Sequence, residues 1–267
     1  RRQRQMCIRD SCDSHNNVFL GTCAGVADND GDNNVYVGCA SGKSNLSGDN
    51  NVFVGRHAGC ANTTGCENVH LGRQAGRDDQ TGYRNVYIGM TAGRIQASGR
   101  HDNVFIGNGA GRYSTNTNRS VFVGCYAGLK ASGSDDSVFI GTKAGAGCSG
   151  ACVTGDSDIA IGLCAGYNLT SGANNVFLGT CAGDSVTTGG SNVAVGVNSL
   201  GANTTANNNT ALGYTALQVN TTGTRNTAIG ANSSDSNTTG NYNTALGYNS
   251  LGANTTASYN TALGDTS

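Results

Sequence analysis

The chain has 267 residues, 42 of them glycine and none of them proline or tryptophan; 12% are charged and the net charge is −1. Charge this dilute and balanced leaves no electrostatic footprint for nucleic acid or an anionic membrane, and it lacks the high net charge of an ordinary disordered segment. No stretch approaches the 18 or more apolar residues of a transmembrane helix, so no nucleic-acid partner and no membrane span are expected.

The opening RRQRQMCIRDS resembles a translated sequencing-adapter scar. Residues 1–11 are therefore expected to be a non-native or adapter-derived leader, and the chain a fragment of a longer protein. From residue 12 to 267 one unit recurs: NNVFLGTCAG at 16–25, NNVYVGCASG at 33–42, NNVFVGRHAG at 50–59, DNVFIGNGAG at 102–111 and NNVFLGTCAG again at 174–183. The glycine closing each V-x-V-G unit marks the phase. These markers are Gly21, Gly38, Gly55, Gly72, Gly89, Gly107, Gly124, Gly141, Gly162, Gly179, Gly196, Gly213, Gly230, Gly247 and Gly264, and twelve of the fourteen spacings are 17. One spacing of 18 ends at Gly107 and one of 21 ends at Gly162, where an insertion lies at 146–157.

Self-similarity at a short fixed period is the signature of a solenoid, whose turns cannot bury an apolar face alone. Seventeen residues are too few for a helical hairpin and suit a coil of two short strands and two corners. The fold class predicted is all-β: a single-stranded parallel β-solenoid (β-roll) of about 15 coils, one coil per 17 residues.

Columns of equivalent residues test that reading. The position before the marker is aliphatic in all fifteen repeats, and three before it stands Val or Ile in eleven and Thr in four (Thr210, Thr227, Thr244, Thr261). Alternation places these two columns on one face, expected to be the core. Three after the marker the residue is always Ala or Ser, as where an opposite strand passes close by, and the glycine four after it (Gly25, Gly42, Gly59) marks a tight corner that becomes Leu200, Leu217 and Leu251 late in the chain. Four before the marker stands Asn in twelve of fifteen repeats, from Asn17 to Asn260. Amides stacked at the roughly 4.8 Å spacing of neighbouring strands can bond along the axis as an Asn ladder; a plain turn preference for Asn is the alternative. The absence of proline agrees with stacking, since each rung needs its backbone N–H for the next coil.

The late repeats SNVAVGVNSLGANTT (191–205) and NYNTALGYNSLGANTT (241–256) resemble the head repeats of YadA-type trimeric autotransporter adhesins, and more closely the NTALGY-type arrays of phage and bacterial tail-fibre-domain proteins. The resemblance covers the pattern of nearly the whole chain and is tight from about residue 191 onward. It implies left-handed parallel β-rolls that trimerise into rigid surface or virion fibres and serve attachment rather than catalysis.

Eleven cysteines fall between Cys7 and Cys181. Cys164 and Cys181 share a phase in adjacent coils, Cys148 and Cys152 sit together in the inserted corner, and Cys60 and Cys66 flank another corner. These six are disulfide candidates for an extracellular fibre, with free buried thiols as the alternative. Glycosylation sequons occur at Asn45, Asn62, Asn118, Asn168, Asn203, Asn208, Asn220, Asn232, Asn237 and Asn254, six of them seven residues after a marker, a recurring phase expected to be an exposed corner. In a chain so rich in Asn, Ser and Thr, sequons also arise by chance.

No enzyme is expected, nor any cofactor or metal. The histidines at 15, 57, 70 and 101 do not share a phase in adjacent coils, and no GxSxG, HExxH, Walker loop or calcium-binding GGxGxD nonapeptide occurs. With the aliphatic columns inside, the column between them must face out: Phe19, Tyr36, Phe53, His70, Tyr87, Phe105, Phe122, Phe139, Ala160 and Phe177, then Ala194 to Ala262. Its eight aromatics form a candidate assembly stripe, buried against identical rods in a homotrimer or in filament protofilaments, or covered by glycans or other parts of a parent chain. The function expected is that of a structural fibre or filament segment, secreted, cell-surface or virion-associated, that assembles with itself and attaches to a host or environmental surface. The alternative is a ligand-binding surface, for glycan or ice, on the same scaffold; the Thr column is regular enough for ice, although its expected inward parity opposes that reading.

Overall fold

A β-branched or aliphatic triplet closed by glycine can make one short strand and then turn, and the computed structural model of the chain repeats that event once per coil. It describes residues 15–95, 99–147 and 152–267. The described residues contain fifteen strands of three residues each and no helix, and the chain divides into two compact units, 1–126 and 127–267.

The first unit holds β1 (Val18–Leu20), β2 (Val35–Val37), β3 (Val52–Val54), β4 (Val69–Leu71), β5 (Val86–Ile88), β6 (Val104–Ile106) and β7 (Val121–Val123). The second holds β8 (Val138–Ile140), β9 (Ile159–Ile161), β10 (Val176–Leu178), β11 (Val193–Val195), β12 (Thr210–Leu212), β13 (Thr227–Ile229), β14 (Thr244–Leu246) and β15 (Thr261–Leu263). Within each unit every strand pairs in parallel with its sequence neighbours and without slip: Val35 opposes Val52, Tyr36 opposes Phe53, and Val193 opposes Thr210. Each unit is thus a parallel β-solenoid with one strand per coil. Zero slip is what a 17-residue period with identical phases requires, because any shift would move every side chain to the other face.

The remainder of each coil is turn rather than a second strand. Ala24 N–H donates to the Gly21 carbonyl (3.3 Å) and Asp28 N–H to that of Gly25 (3.2 Å), while Gly25 N–H reaches the Ser41 carbonyl of the next coil (3.0 Å). The marker glycine permits the corner. Gly21 has φ +139°, and a Cβ there would stand 2.6 Å from the Gly38 carbonyl carbon of the next coil, so the column packs backbone on backbone.

The parity of the strands is the reverse of the expected one. The middle residue of each triplet points into the coil: Tyr36, Phe53, Tyr87, Phe105, Phe122, Phe139 and Phe177 have no exposed surface and Phe19 has 5%. The residues on either side face outward, with Val18 at 53% and Leu20 at 48% exposed. A three-residue strand offers one inward position and two outward ones, and the narrow interior of a 17-residue coil has room for one large side chain. The aromatic ring fills that room by lying on the opposite corner. A Cβ on Gly59 (φ +53°) would sit 2.5 Å from the Phe53 ring, so the glycine four after the marker is the floor of the ring's slot. The expected assembly stripe is therefore the core.

In the first unit the rings stack along the axis. Centroids are 4.9 Å apart for Phe19 and Tyr36, 5.1 Å for Tyr36 and Phe53, 4.7 Å for Phe53 and His70, 4.8 Å for His70 and Tyr87, 5.1 Å for Tyr87 and Phe105, and 4.6 Å for Phe105 and Phe122. From β11 onward the central residue is Ala, and Leu200 and Leu217, four after their markers and fully buried, supply the missing volume despite φ of +55° and +51°. Around Ala160 of β9, Leu169 does the same from another corner.

Candidate functional site

Two features recur with enough regularity to carry function: amide ladders inside the coils and an uncharged face outside them.

The first ladder is the expected one. Asn51 shows its wiring. Its carboxamide oxygen accepts from the backbone N–H (3.1 Å) and the side-chain amide (3.1 Å) of Asn68 in the next coil, while its own Nδ2 donates to the Gly65 carbonyl (2.8 Å). The pattern repeats at Asn192, which accepts from Asn209 N–H (3.0 Å) and donates to the Ala206 carbonyl (2.9 Å). Each amide thus holds its own corner to the next coil, and the buried corner keeps its backbone groups paired.

A second ladder occupies the phase seven after the marker, and it is built from the sequons. Asn45, Asn62, Asn203, Asn220 and Asn237 have no exposed surface. Asn62 Nδ2 donates to Asn45 Oδ1 (2.8 Å) and to the Gly65 carbonyl (3.0 Å); Asn237 Nδ2 donates to Asn220 Oδ1 (2.9 Å) and to the Gly240 carbonyl (3.1 Å). The expectation of an exposed, glycosylated corner is corrected: this amide turns inward to cap the corner, leaving no room for a glycan on the folded coil. Asn254 continues the ladder half-exposed, bonded to Asn237 (3.3 Å). Asn118 is buried and accepts from His101 N–H (3.3 Å), and half-buried Asn168 donates to the Asp184 carbonyl (2.9 Å).

Three acids interrupt these ladders, Asp28 and Asp79 in the second and Asp158 in the first, and all three are buried. Desolvation raises Asp28 to about 6 and both Asp79 and Asp158 to about 7. The two core tyrosines of the first unit, Tyr36 and Tyr87, each follow one of these acids by eight residues. His70 stands within the aromatic stack with neither ring nitrogen bonded, and burial lowers it to about 3. The other histidines are dispersed; His101 Nδ1 meets Asp102 (2.8 Å), whose carboxyl is held at about 2 chiefly by the Arg84 guanidinium. Among the described residues no three His, Cys, Asp or Glu side chains gather as a metal site.

The expected disulfides are not formed: Cys60, Cys66, Cys152, Cys164 and Cys181 are free thiols, and Cys148 lies outside the described residues. Cys164 and Cys181 stack in one column with matching backbone (φ +56° and +54°), so their Cα–Cβ bonds run parallel. Parallel bonds keep the Cβ atoms near the strand spacing of about 4.8 Å, wider than the roughly 3.8 Å a disulfide favours. Burial pushes the Cys60, Cys66 and Cys181 thiols up, away from the reactive thiolate.

The outer face of the strands carries no charged residue in either column. In β2 to β7 every flanking position is half-exposed or exposed Val, Ile or Leu. In β12 to β15 one column becomes Thr210, Thr227, Thr244 and Thr261, in register beside Leu212 (40% exposed), Ile229, Leu246 (44%) and Leu263. The reversal of parity turns this Thr column outward. No protein-family model matches the chain, nor does any curated protein or solved structure.

Proposed function

We propose that the chain is a structural segment of a fibre or filament, extracellular or virion-associated, that assembles with further copies of itself as a homotrimer or as laterally packed protofilaments and serves attachment. The observation that carries this reading is the outer strand face: two uncharged, solvent-facing columns, both aliphatic in β1 to β11. A contiguous apolar band larger than a few hundred Å² is rare on a soluble monomer and marks an interaction surface. Identical columns on identical coils suit a partner with the same repeat. The internal ladders support a mechanical role, since within each unit every coil is tied to the next through side chains as well as backbone. No catalytic residue or cofactor is assigned.

The test is assembly. Val69→Asp with Val86→Asp places charge on the outer face while leaving the inward column untouched. Multi-angle light scattering and electron microscopy should show defined oligomers or filaments for the parent chain and dispersed single chains for the variant. A parent chain that stays monomeric at every concentration, or a variant that assembles unchanged, would contradict the reading.

A second reading, a surface for ice or glycan, is favoured by one observation: Thr210, Thr227, Thr244 and Thr261 form an outward column in register beside an aliphatic one. Ice-affinity partition and glycan arrays decide between the two. Saturable binding abolished by Thr227→Tyr with Thr244→Tyr would establish the second.

A further inference from the structure

The ladders have a direction. In the second ladder the amide of each coil donates back to the carboxamide oxygen of the coil before it: Asn62 to Asn45 (2.8 Å), Asn237 to Asn220 (2.9 Å), Asn254 to Asn237 (3.3 Å). In the first, Nδ2 of an Asn rung donates to a carbonyl fourteen or fifteen residues on, as Asn175 does to Gly189 (3.0 Å), Asn209 to Gly223 (2.8 Å) and Asn85 to Arg100 (2.8 Å). Every rung must therefore supply a donor, and an ionised carboxylate has none.

Two places show the missing donor. The rung after Asn62 is Asp79, and Asn62 Oδ1 is a buried acceptor with no partner. Asp158 accepts from Asn175 N–H (2.8 Å) and Asn175 Nδ2 (3.1 Å) through Oδ1, but its Oδ2 is buried without a partner. The surroundings locate that oxygen. In an ordinary coil, a Cβ built on Gly189 would stand 3.2 Å from Asn192 Nδ2, close to the Ala206 carbonyl that this amide bonds. In the inserted coil, a Cβ built on Gly155 would stand 3.1 Å from Asp158 Oδ2 and beside the Gly172 carbonyl. Oδ2 thus takes the place of the amide nitrogen, and two acceptors face each other. Asp28 differs, because it opens the described part of its ladder, where Asn45 follows it as a donor.

We propose that Asp79 and Asp158 are proton-binding rungs: each is held as a neutral carboxylic acid whose O–H replaces the amide N–H, donating to Asn62 Oδ1 in one unit and to the Gly172 carbonyl in the other, so that deprotonation opens the ladder at that coil. The charged surroundings agree. Asp79 is buried, accepts from Gly82 N–H (2.9 Å), and is faced by Arg100 of the following coil and uncharged Asn62 of the preceding one. Asp158 is faced by Ser137 from the coil before and Asn175 from the coil after, both uncharged, and Asp156 of its own coil adds only negative charge. With both acids raised from an ordinary 3.8 to about 7, their stabilising contribution is fully present below about pH 4 and is lost as pH rises through 7.

The test compares the full chain with Asp79→Asn and Asp158→Asn, each installing the Asn of an adjacent rung, and with Asp265→Asn as an exposed control. Urea unfolding from pH 4 to 8.5 should show each ladder variant gaining on the parent by about tenfold in folding constant per pH unit up to about pH 7, then levelling, with the control flat. Infrared spectra at pH 5.5 should show a neutral carboxylic acid C=O band that weakens in each ladder variant. Parallel pH profiles for parent and variants, or no acid band, would overturn the proposal. So would parent stability at pH 8 that rises saturably with sodium or potassium chloride beyond any rise in the variants, which would assign the gap to a cation.

Discussion

The coils around Phe53 and those around Ala211 share a backbone and fill it in opposite ways. In the first, a phenyl ring grows from the strand and the facing corner is glycine; in the second, the strand carries Ala and Leu217 grows from the corner, even at positive φ. The interior volume is conserved while the element that supplies it changes. What stays constant between the two regions is the polar frame: the marker glycine, both amide ladders and the register. The frame therefore defines the coil, and the apolar filling is exchangeable.

The largest expected effect breaks the filling. Phe53→Ala removes a fully buried ring that stacks on two neighbours and should cost about 3–5 kcal/mol by urea unfolding. Adding Gly59→Leu to it recreates the Ala211–Leu217 arrangement in the first unit and should recover at least about 1 kcal/mol. A double variant no better than Phe53→Ala would break the equivalence of the two fillings.

Next comes the shared frame. Asn51→Ala leaves Asn68 N–H without its bond and removes one of the two donors to the Gly65 carbonyl, which keeps Asn62 Nδ2; Asn209→Ala does the same to Asn226 N–H and to the Gly223 carbonyl, which keeps Asn220 Nδ2. Each should cost about 1–3 kcal/mol, and by similar amounts in the two regions, because each orphans one buried N–H. A cost confined to one region would mean that the frame is not common to both.

His70 offers a smaller effect with a pH signature. It fills the ring column at the expense of two buried, unbonded nitrogens, so His70→Phe should stabilise by about 1–2 kcal/mol at pH 7. Its pKa is depressed from 6.5 to about 3, so the neutral ring's contribution is present above pH 6.5 and is lost as pH falls toward 3. The advantage of His70→Phe should therefore grow on acidification, and a pH-independent difference would contradict the buried, neutral placement. The smallest effect is at the stacked thiols: Cys164→Ser and Cys181→Ser should each shift stability by less than about 0.5 kcal/mol, and a reducing agent should leave the unfolding midpoint unchanged.

The repeat, the parallel coil and the first ladder were legible in the sequence because identical phases seventeen apart can be satisfied only by stacking. The parity was not. Uniformly aliphatic columns on either side of a mixed column suggest an aliphatic core, yet a three-residue strand has two outer positions and one inner one. The signal that settles it was present but unconnected: where the middle residue shrinks to Ala at 194, 211 and 245, the corner grows from Gly to Leu at 200, 217 and 251, as contacts across one interior must. The sequons misled for a related reason. N-x-T describes a modification site, but an Asn that recurs once per coil is equally a rung, and burial decides between them. Likewise Cys164 and Cys181 were rightly placed in adjacent coils, but sequence spacing carries no information on the direction of their Cα–Cβ bonds.

Tyrosine accessibility tests the reversed parity most directly. Nitration of the native chain followed by peptide mapping should modify Tyr214, Tyr248 and Tyr259, which are 58%, 55% and 78% exposed, and should spare Tyr36 and Tyr87, which have no exposed surface, until the chain is unfolded. Rapid native nitration of Tyr36 and Tyr87 would place the middle column of the strands outside the coil and contradict the account.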